Sequence, residues 1–554
     1  MLMADLKKTE ERIEELRKKE EEALAATLSK KYKIEYIDLT RSSINTEALR
    51  LISEVDARNA ETAAFDVTGK KLKVAVRSPQ QPNLVPIMEN LKRHGFAITQ
   101  YMVSRQSLER AWERYKDLSF AIEAKQGMLD ISPAELKKTA ERIHTIEDIR
   151  ASVAEVASLN RVFRISKILE VVLAGAFSVG ASDIHIEPEK EDVRMRYRLD
   201  GVLHDITTVD SETHGLILSR LKLLSGLKLN VHDAPQDGRF SIGLDQKEIE
   251  IRTSVIPGAY GETVVMRLLN PDTISVPFEG LGMEEKLRTL IEREITSPNG
   301  MLLNTGPTGS GKTTTLYACL KKIHSSEIKI ITIEDPIEYH VKGVVQTQVE
   351  KNYSWLDGLR SALRQDPDVI MIGEIRDEEV AKTAIDAALT GHFVFSTLHT
   401  NNAAGTFPRL ADLGVDPKAF ASAINVVMAQ RLVRKLCEVC KKKVPLEGAT
   451  KISVEQILSG LRDKSVIPAD TASAYVPVGC SACNGTGYKG RIGVFEALVV
   501  DDEMDKLLRT SPSEHEIQAL QKKREIMTMA EDGVVKIVNG VTSVEELRRV
   551  VEID

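Results

Sequence analysis

One eight-residue motif constrains the fold of this chain more than any other feature. Residues 306–313 read Gly-Pro-Thr-Gly-Ser-Gly-Lys-Thr and satisfy the pattern G-x-x-x-x-G-K-[ST]. Average residue frequencies give about 0.02 chance matches in a chain of this length. The apolar run 301–303 precedes the motif and a helix-compatible run over 314–323 follows it. This strand, loop and helix context predicts a phosphate-binding P-loop in an α/β domain with a mainly parallel sheet.

The residues of this loop have the properties that binding of ATP and Mg²⁺ requires. Glycines let backbone N–H groups turn towards phosphate oxygens, and the following helix presents the positive end of its dipole. We expect Lys312 to contact the β- and γ-phosphates and the Thr313 hydroxyl to bind Mg²⁺. The predicted nucleotide-binding residues are Gly306, Pro307, Thr308, Gly309, Ser310, Gly311, Lys312, Thr313 and Thr314.

Two carboxylates follow other strand-like runs. Residues 328–333 are mainly apolar and are followed by Glu334, and the apolar run 369–372 shortly precedes Glu374. Open α/β sheets bind ligands at the carboxyl ends of their strands, and P-loop enzymes need acids that hold the metal and orient water. Both acids are therefore predicted to lie in the site, although their positions leave open which one activates water.

A histidine follows a third strand-like run. Residues 393–396 form this run, and His399 comes three residues after it. Such a histidine either senses the γ-phosphate or makes only a structural hydrogen bond. The residue pattern does not separate these two roles, so His399 is carried as a candidate site residue.

Four of the five cysteines form two C-x-x-C pairs. Cys437 and Cys440 are the first pair, Cys480 and Cys483 are the second, and 39 residues lie between the pairs. Four thiolates suit a tetrahedral structural Zn²⁺ site, whereas a redox-active C-x-x-C needs only one pair. We therefore predict zinc. The separation exceeds the usual one of about 15–20 residues, so the intervening segment is expected to loop out.

The length of 554 residues is enough for three to four domains of about 150 residues each. With 42% hydrophobic and 28% charged residues, the composition is that of folded globular domains and excludes disorder. Two α+β patterns precede the P-loop domain. The predicted segments are a charged helix over 1–31, an α+β domain over 32–120, a linker over 121–152, a second α+β domain over 153–272, and the P-loop domain over 277–554 with a zinc module at 435–495 and C-terminal helices.

Charge and hydropathy limit the partners. The chain has 82 acidic and 75 basic residues and a net charge of -7, which is not the basic surface of a protein that wraps nucleic acid. No run reaches the roughly 18 apolar residues that a membrane-spanning helix requires, and the first residues do not resemble a signal peptide. We expect a cytoplasmic chain that reaches membranes through partners.

Several motifs occur in a fixed order along the chain. They are Ala-Ser-Asp-Ile-His-Ile-Glu-Pro at 181–188, Arg-Leu-Asp-Gly at 198–201, Pro-Gln-Asp-Gly-Arg at 235–239, the P-loop, Glu-Asp-Pro at 334–336, Gly-Glu at 373–374, Thr-Leu-His-Thr-Asn at 397–401, and the two cysteine pairs. As an ordered set they resemble the ATPases of type II secretion and type IV pilus assembly, the GspE/PilB family, from about residue 60 onward.

The resemblance implies a RecA-like ATPase domain preceded by two smaller α+β domains, the second of them PAS-like. It implies a hexameric ring that hydrolyses ATP and powers assembly of a filament. In the family, Glu334 would activate water, Glu374 would support Mg²⁺, and His399 would belong to the His box. Arginines would reach the phosphates. The matching positions are Arg198, Arg220, Arg360, Arg364 and Arg376.

The resemblance also implies partners. The ring would act on an inner-membrane platform protein, and the domain over 32–120 would bind the cytoplasmic domain of a membrane-associated adaptor, at the inner face of the cytoplasmic membrane. The cysteine pairs and the long N-terminal region favour filament assembly over retraction. The Arg-Leu-Gly nonapeptide pattern of some relatives is not found, so we do not expect cyclic di-GMP as a regulator.

Other functions stay open at this point. A related P-loop core could drive DNA uptake or transfer, although the acidic balance and the lack of an aromatic and basic stripe count against nucleic acid. A nucleotide-binding scaffold without hydrolysis is a third interpretation. The residues do not decide between a type IV pilus and a type II secretion pseudopilus.

Overall fold

The computed structural model describes residues 20–40, 42, 44–49, 51–93, 95–115, 133–157, 161–244, 247–270 and 276–553. The chain forms two compact units, Met1–Ile131 and Ser132–Asp554. Of the helix predicted for 1–31, residues 1–19 lie outside the described residues and residues 20–32 are helical. In the described parts of the chain, no helix is both long and apolar enough to cross a membrane.

The first unit contains a four-stranded sheet with helices. Its elements are β1 (Glu35–Tyr36), α1 (Thr46–Leu49), α2 (Glu54–Asn59), β2 (Thr62–Thr68), β3 (Lys71–Val76), α3 (Leu84–Arg93), β4 (Ala97–Met102) and α4 (Arg105–Glu113). The strand order is β1-β4-β3-β2, with only the β2–β3 pair antiparallel. In β3, Leu72 and Val74 are buried between exposed lysines, because successive side chains of a strand point to opposite faces.

The second unit begins with three helices and an antiparallel sheet. Its first elements are α5 (Pro133–Ala140), α6 (Ile146–Ala157), α7 (Arg161–Ser178), β5 (Asp183–Pro188), β6 (Val193–Leu199), β7 (Val202–Val209), α8 (Ser211–Leu224), β8 (Gln236–Leu244), β9 (Lys247–Gly258) and β10 (Gly261–Leu269). The strand order is β7-β6-β5-β10-β9-β8. The Tyr197 hydroxyl of β6 donates a hydrogen bond to the Val172 carbonyl of α7 and fixes that helix on the sheet.

The segment predicted as a linker differs from the structure where it is described. Residues 133–140 and 146–157 are helical, and Leu136 and Ile149 are fully buried. A Cβ on Gly175 would lie 2.8 Å from Ile149 Cγ1, so the glycine lets α6 and α7 pack closely. The polar composition that suggested a linker belongs to the exposed faces of amphipathic helices. Residues 121–132 of the predicted linker lie outside the described residues.

The remaining part of the second unit is built on a seven-stranded sheet. Its strands are β11 (Gly300–Thr305), β12 (Ile330–Glu334), β13 (Val345–Gln348), β14 (Val369–Ile372), β15 (Phe393–Leu398), β16 (Ile424–Leu436) and β19 (Tyr488–Val499), with β17 (Lys442–Pro445) and β18 (Ser473–Val476) forming a separate pair. The order is β13-β12-β14-β15-β11-β16-β19, and all neighbours are parallel except β16 and β19.

Helices cover both faces of this sheet. They are α9 (Glu285–Glu294), α10 (Lys312–Ile323), α11 (Trp355–Ala362), α12 (Glu378–Leu389), α13 (Thr406–Asp412), α14 (Pro417–Ala423), α15 (Gly448–Gly460), α16 (Asp502–Leu508), α17 (Glu514–Gln521), α18 (Met529–Val538) and α19 (Val544–Arg548). Met301 and Leu303 of β11 enter one apolar core, and Leu302 enters the core on the opposite face. Because both faces are covered, the inner strands β11, β12, β14 and β15 are fully buried and mainly apolar, as parallel strands usually are.

Candidate active site and cysteine cluster

The predicted P-loop joins β11 to α10 and has the expected backbone form. Gly309 has φ 79° and Gly311 has φ 91°, in the left-handed region that glycine adopts without steric cost. A Cβ on Gly306 would lie 2.6 Å from the Gln430 carbonyl oxygen, so only glycine fits there. The loop ends at the N-terminus of α10, where free N–H groups and the helix dipole favour phosphate.

Lys312 is folded into this loop. Its Nζ donates hydrogen bonds to the carbonyl oxygens of Gly306, at 2.8 Å, and Pro307, at 3.1 Å. The pKa of Lys312 is lowered to about 8, chiefly by burial; the charge of Glu374 opposes this shift and that of Arg431 contributes to it. A group that is costly to charge without a partner is suited to bind an anion, because a phosphate restores the favourable interaction.

Two polar residues of β16 that sequence reasoning missed support the loop. The buried Gln430 accepts hydrogen bonds at Oε1 from Asn304 Nδ2, at 3.0 Å, and Thr315 Oγ1, at 2.9 Å. Arg431 donates from Nη2 to the Asn401 carbonyl at 2.6 Å and from Nη1 to the Gln430 carbonyl at 3.1 Å. Polar residues at 430 and 431 in the long apolar run 424–436 were the signal that could have revealed them.

Arg431 connects the loop after β15, through the Asn401 carbonyl, to the part of β16 that lies beside the P-loop. Burial lowers the pKa of its guanidinium, and Glu496 opposes this shift. The guanidinium stays charged at any working pH because its ordinary pKa is above 12. The site therefore holds a fixed positive charge in addition to Lys312.

Glu374, Arg376 and His399 come together at the carboxyl ends of β14 and β15. Glu374 Oε1 pairs with Arg376, and Glu374 Oε2 lies 3.3 Å from His399 Nε2. The hydrogen bond that Arg376 donates to Glu374 raises the pKa of Arg376, and the charge of Asp335 adds to this. The two strands are neighbours, so the loops that follow them meet at one edge of the sheet.

The predicted Mg²⁺ ligands are oxygen donors of the kind that this ion prefers. Thr313 is exposed in the first turn of α10. The side chain of Glu374 keeps 17% of its surface exposed. These two residues would hold the ion, which would supply positive charge to neutralise the phosphates during hydrolysis.

Glu334 ends β12 and is almost fully buried, with 2% of its surface exposed. Its carboxylate accepts hydrogen bonds from Tyr317, Thr332 and Gln346. Tyr317 lies on α10, one turn after the Thr313 that follows the P-loop lysine. The helix that carries the phosphate site therefore also carries a hydrogen-bond donor to Glu334.

Three of the five predicted arginines make contacts within their own surroundings. Arg198 pairs with Asp183 at 3.3 Å, and Arg364 donates to Ser361 at 3.2 Å. Arg220 is 7% exposed, burial lowers its pKa, and it donates to Ser166. Arg360 is exposed on α11. Among the predicted arginines, Arg376 is the one that contacts Glu374, and the phosphate-binding role of the others stays a prediction.

The four cysteines that were predicted to bind zinc form one cluster. Their sulfur atoms all lie within 4.8 Å of one another. Three separations are 3.9 Å for Cys437–Cys480, 3.8 Å for Cys440–Cys483 and 3.8 Å for Cys480–Cys483. Tetrahedral Zn²⁺ with Zn–S bonds of about 2.3 Å requires sulfur separations of about 3.8 Å. The geometry therefore fits zinc, which would be held by these four sulfurs.

Backbone N–H groups prepare these sulfurs for a cation. Gly479 N–H donates to Cys440 Sγ at 3.3 Å, and the N–H groups of Cys480 and Gly487 donate to Cys483 Sγ at 3.2 Å. Burial alone would raise the pKa of Cys483, but these N–H groups and the hydrogen bonds with Cys480 and Cys440 outweigh it and lower the pKa to about 7, whereas burial raises the pKa of Cys440 to about 11. The expected excursion between the pairs consists of β17, α15 and β18.

Comparison with known proteins identifies the family. The model of the family described as Type II/IV secretion system protein matches residues 160–549. The chain belongs to this family. A second model, the MshEN domain, matches residues 32–121.

Individual secretion proteins extend this result. The type II secretion system protein E of Pseudomonas aeruginosa is 42% identical over 388 residues, 70% of this chain and 75% of that protein. The type IV pilus assembly ATPase PilB of Myxococcus xanthus is 34% identical over 533 residues, 95% of this chain and 91% of that protein. The crystal structure of the Legionella pneumophila ATPase DotB is similar in fold, with a TM-score of 0.50 and 22% identity over 69% of this chain and 94% of DotB.

Membership of the secretion family confirms three predictions. These are the family itself, the fold class with a RecA-like domain and smaller N-terminal domains, and the assignment as a P-loop ATPase that uses ATP and Mg²⁺. The clustered cysteines agree with the predicted zinc-binding subdomain. The roles of the individual site residues and the exact domain boundaries stay predictions.

Proposed function

We propose that this chain is the ATPase motor that powers assembly of an extracellular filament, either a type IV pilus or the pseudopilus of a type II secretion system. One set of interactions supports this proposal most. Glu374 contacts Arg376 and His399 at one sheet edge, and its charge acts on the P-loop Lys312. Phosphoryl transfer gains most of its acceleration from fixed positive charge and from positioned acids of this kind.

In the proposed reaction, the P-loop amides and Lys312 bind the β- and γ-phosphates. Glu334 orients and deprotonates the attacking water, and Glu374 with Thr313 holds Mg²⁺. His399 responds to the γ-phosphate through its contact with Glu374. Arg376 is already in place, whereas Arg198, Arg220, Arg360 and Arg364 approach the phosphates only after the domains or subunits move.

The pilus is the preferred filament. The similarity to the Myxococcus pilus ATPase extends over 95% of this chain, whereas that to the Pseudomonas secretion protein extends over 70%. The additional length includes the N-terminal unit, which matches the MshEN domain. Motors that share a partner-binding domain are expected to assemble the same kind of filament. The longer similarity to the pilus ATPase therefore favours pilus assembly.

The proposed machine is a homo-hexamer on the cytoplasmic side of the inner membrane. Its ATPase domains act on an inner-membrane platform protein, and its N-terminal unit binds the cytoplasmic domain of a membrane-associated adaptor. This arrangement places the chain as a peripheral protein at the inner face of the membrane. We expect neither single-stranded DNA nor cyclic di-GMP to change its rate of ATP hydrolysis, and adding each to the full chain tests this.

Deletion of the gene in its host, followed by complementation, tests the filament. Loss of surface pili with normal protein secretion supports the pilus, and loss of secreted enzymes with intact pili supports the secretion system. A Glu334→Gln copy should fail to complement while reaching the same cellular level as the wild type. Normal pili and normal secretion in the deletion strain would contradict the proposal.

A further inference from the structure

We infer that Tyr317 and Gln346 are positioning residues for the reaction, which fix the Glu334 carboxylate so that one lone pair of its Oε2 atom is left to accept the proton of the attacking water. This inference rests on the proposed function, because it assumes that Glu334 activates water. Neither residue carries a motif of its own, and the structure alone brings them to Glu334.

The first oxygen of the carboxylate has two donors. Thr332 Oγ1 donates to Glu334 Oε1 at 2.6 Å, from the position two residues earlier on the same face of β12. Gln346 Nε2, on the neighbouring strand β13, donates to the same oxygen at 3.0 Å. A carboxylate oxygen has two lone pairs that can accept hydrogen bonds, so both are used at Oε1.

The orientation of the Gln346 amide follows from its other contacts. Its Oε1 accepts the Val341 backbone N–H at 2.7 Å, and its Nε2 also donates to the Tyr339 carbonyl at 3.1 Å. A flipped amide would put its oxygen against Glu334 and Tyr339, two acceptors, and its NH₂ group against an N–H donor. The turn over 339–341 therefore holds the NH₂ group of Gln346 towards the carboxylate.

Among the residues that the structure describes, one donor reaches the second oxygen of the carboxylate. The Tyr317 hydroxyl donates to Glu334 Oε2, and Tyr317 is fully buried on α10. Burial raises the pKa of Tyr317, and the charge of Glu334 adds to this, so the hydroxyl keeps its proton at every working pH. One lone pair of Oε2 is left over, which makes Oε2 the atom that can receive a proton from water.

Other titratable groups near Glu334 do not compete for this role. Tyr339 packs edge-on against Tyr317 with ring centroids 4.6 Å apart, and burial together with Glu334 raises its pKa to about 12. Asp335 follows Glu334 and is exposed, where its charge acts on Arg376. Glu338, at the start of the same turn, pairs with Arg252 at 3.5 Å.

The test measures ATP turnover by the full-length chain with Mg²⁺ as a function of pH. In Tyr317→Phe, we expect a fall in kcat of about tenfold at neutral pH and an acidic limb that moves up by about one pH unit, because a carboxylate that loses a donor takes up a proton more readily. ATP affinity should stay within twofold of the wild type. Gln346→Met should show the same changes and provides a second variant if Tyr317→Phe does not fold.

Tyr339→Phe is the matched control, since it removes a hydroxyl from the same aromatic pair without removing a donor to Glu334. An acidic limb that stays in place in Tyr317→Phe and Gln346→Met, or that moves equally in Tyr339→Phe, would overturn the inference. Glu334→Gln distinguishes the proposed role of Glu334 from the positioning role of Tyr317 and Gln346. If it stays active, the proposed role of Glu334 fails; if it is inactive while both other variants keep the wild-type profile, only the positioning role fails.

Discussion

The cysteine cluster and the P-loop site both join residues that are far apart in the sequence, but one chain assembles them to different extents. The four sulfurs of the cluster lie within 4.8 Å of one another, and three of their separations are the 3.8–3.9 Å that tetrahedral zinc requires. At the P-loop, Glu374 contacts His399 and its charge acts on Lys312, whereas three of the five predicted arginines have partners elsewhere. We propose that the zinc site is complete within one chain, whereas the ATPase site is completed when domains or subunits move.

The largest expected effect comes from the part of the P-loop site that is already assembled. Lys312→Ala should lower the rate of phosphate release by about 1000-fold, because it removes the charge that faces the transferred phosphate. Lys322→Ala is a control on the same helix, where Nζ contacts Glu279 at 2.8 Å, far along α10 from the loop. An active Lys312→Ala chain would contradict the view that the P-loop lysine belongs to the assembled part of the ATPase site.

A second prediction concerns the part of the site that one chain lacks. Arg364→Ala should lower hydrolysis by about 100-fold if this exposed arginine reaches the phosphates of a neighbouring subunit. Mixing Arg364→Ala with Lys312→Ala chains should then restore activity above the sum of the two alone, because some interfaces combine an intact P-loop with an intact arginine. Activity that stays equal to this sum would mean that Arg364 does not act across subunits.

Zinc removal should affect the cysteine cluster and leave the P-loop intact. We expect about one zinc per wild-type chain and almost none in Cys480→Ser, with new protease cleavage within 437–487. Nucleotide affinity should change by less than about threefold, since no cysteine of the cluster contacts the described P-loop. Cys319→Ala, at a buried cysteine of α10 outside the cluster, should keep its zinc. Zinc that persists in Cys480→Ser would exclude the proposed ligand set.

The smallest expected effect tests how the cysteine module is attached. The Gly490 N–H donates to Asp200 Oδ2 at 2.9 Å and joins the module to the β6–β7 turn. Asp200→Ala should cost about 1 kcal/mol and lower the melting temperature by about 2 °C. Asp205→Ala, at an exposed acid of β7, should leave it unchanged. Equal melting of the two variants would show that this hydrogen bond does not stabilise the module.

Much of the site could be predicted because parallel strands have a strong sequence signal. β11, β12, β14 and β15 are covered on both faces, so each is a short apolar run that ends at the ligand edge. The residues after these runs include Glu374 and His399, which the structure joins. The cysteines were recognisable because structural zinc takes four ligands, and two C-x-x-C pairs supply them.

The residues that were missed depend on neighbours that a local pattern does not specify. Gln430 and Arg431 act on the P-loop because β16 is the strand beside β11, and no feature of residues 424–436 gives that position. In the sequence, Tyr317 is one more apolar residue of a helix. Only the structure shows that its hydroxyl contacts Glu334 at the end of β12. The segment over 121–152 was predicted as a linker because the exposed faces of its described helices are highly charged.

The most direct test of the account is phosphate release by purified oligomeric chain, with ATP and Mg²⁺, in the presence of its membrane platform protein. We predict steady turnover that is lost in both Lys312→Ala and Glu334→Gln while the oligomer persists. An oligomer that releases no phosphate under these conditions, or that releases it equally with both substitutions present, would contradict the claim that this P-loop drives the motor.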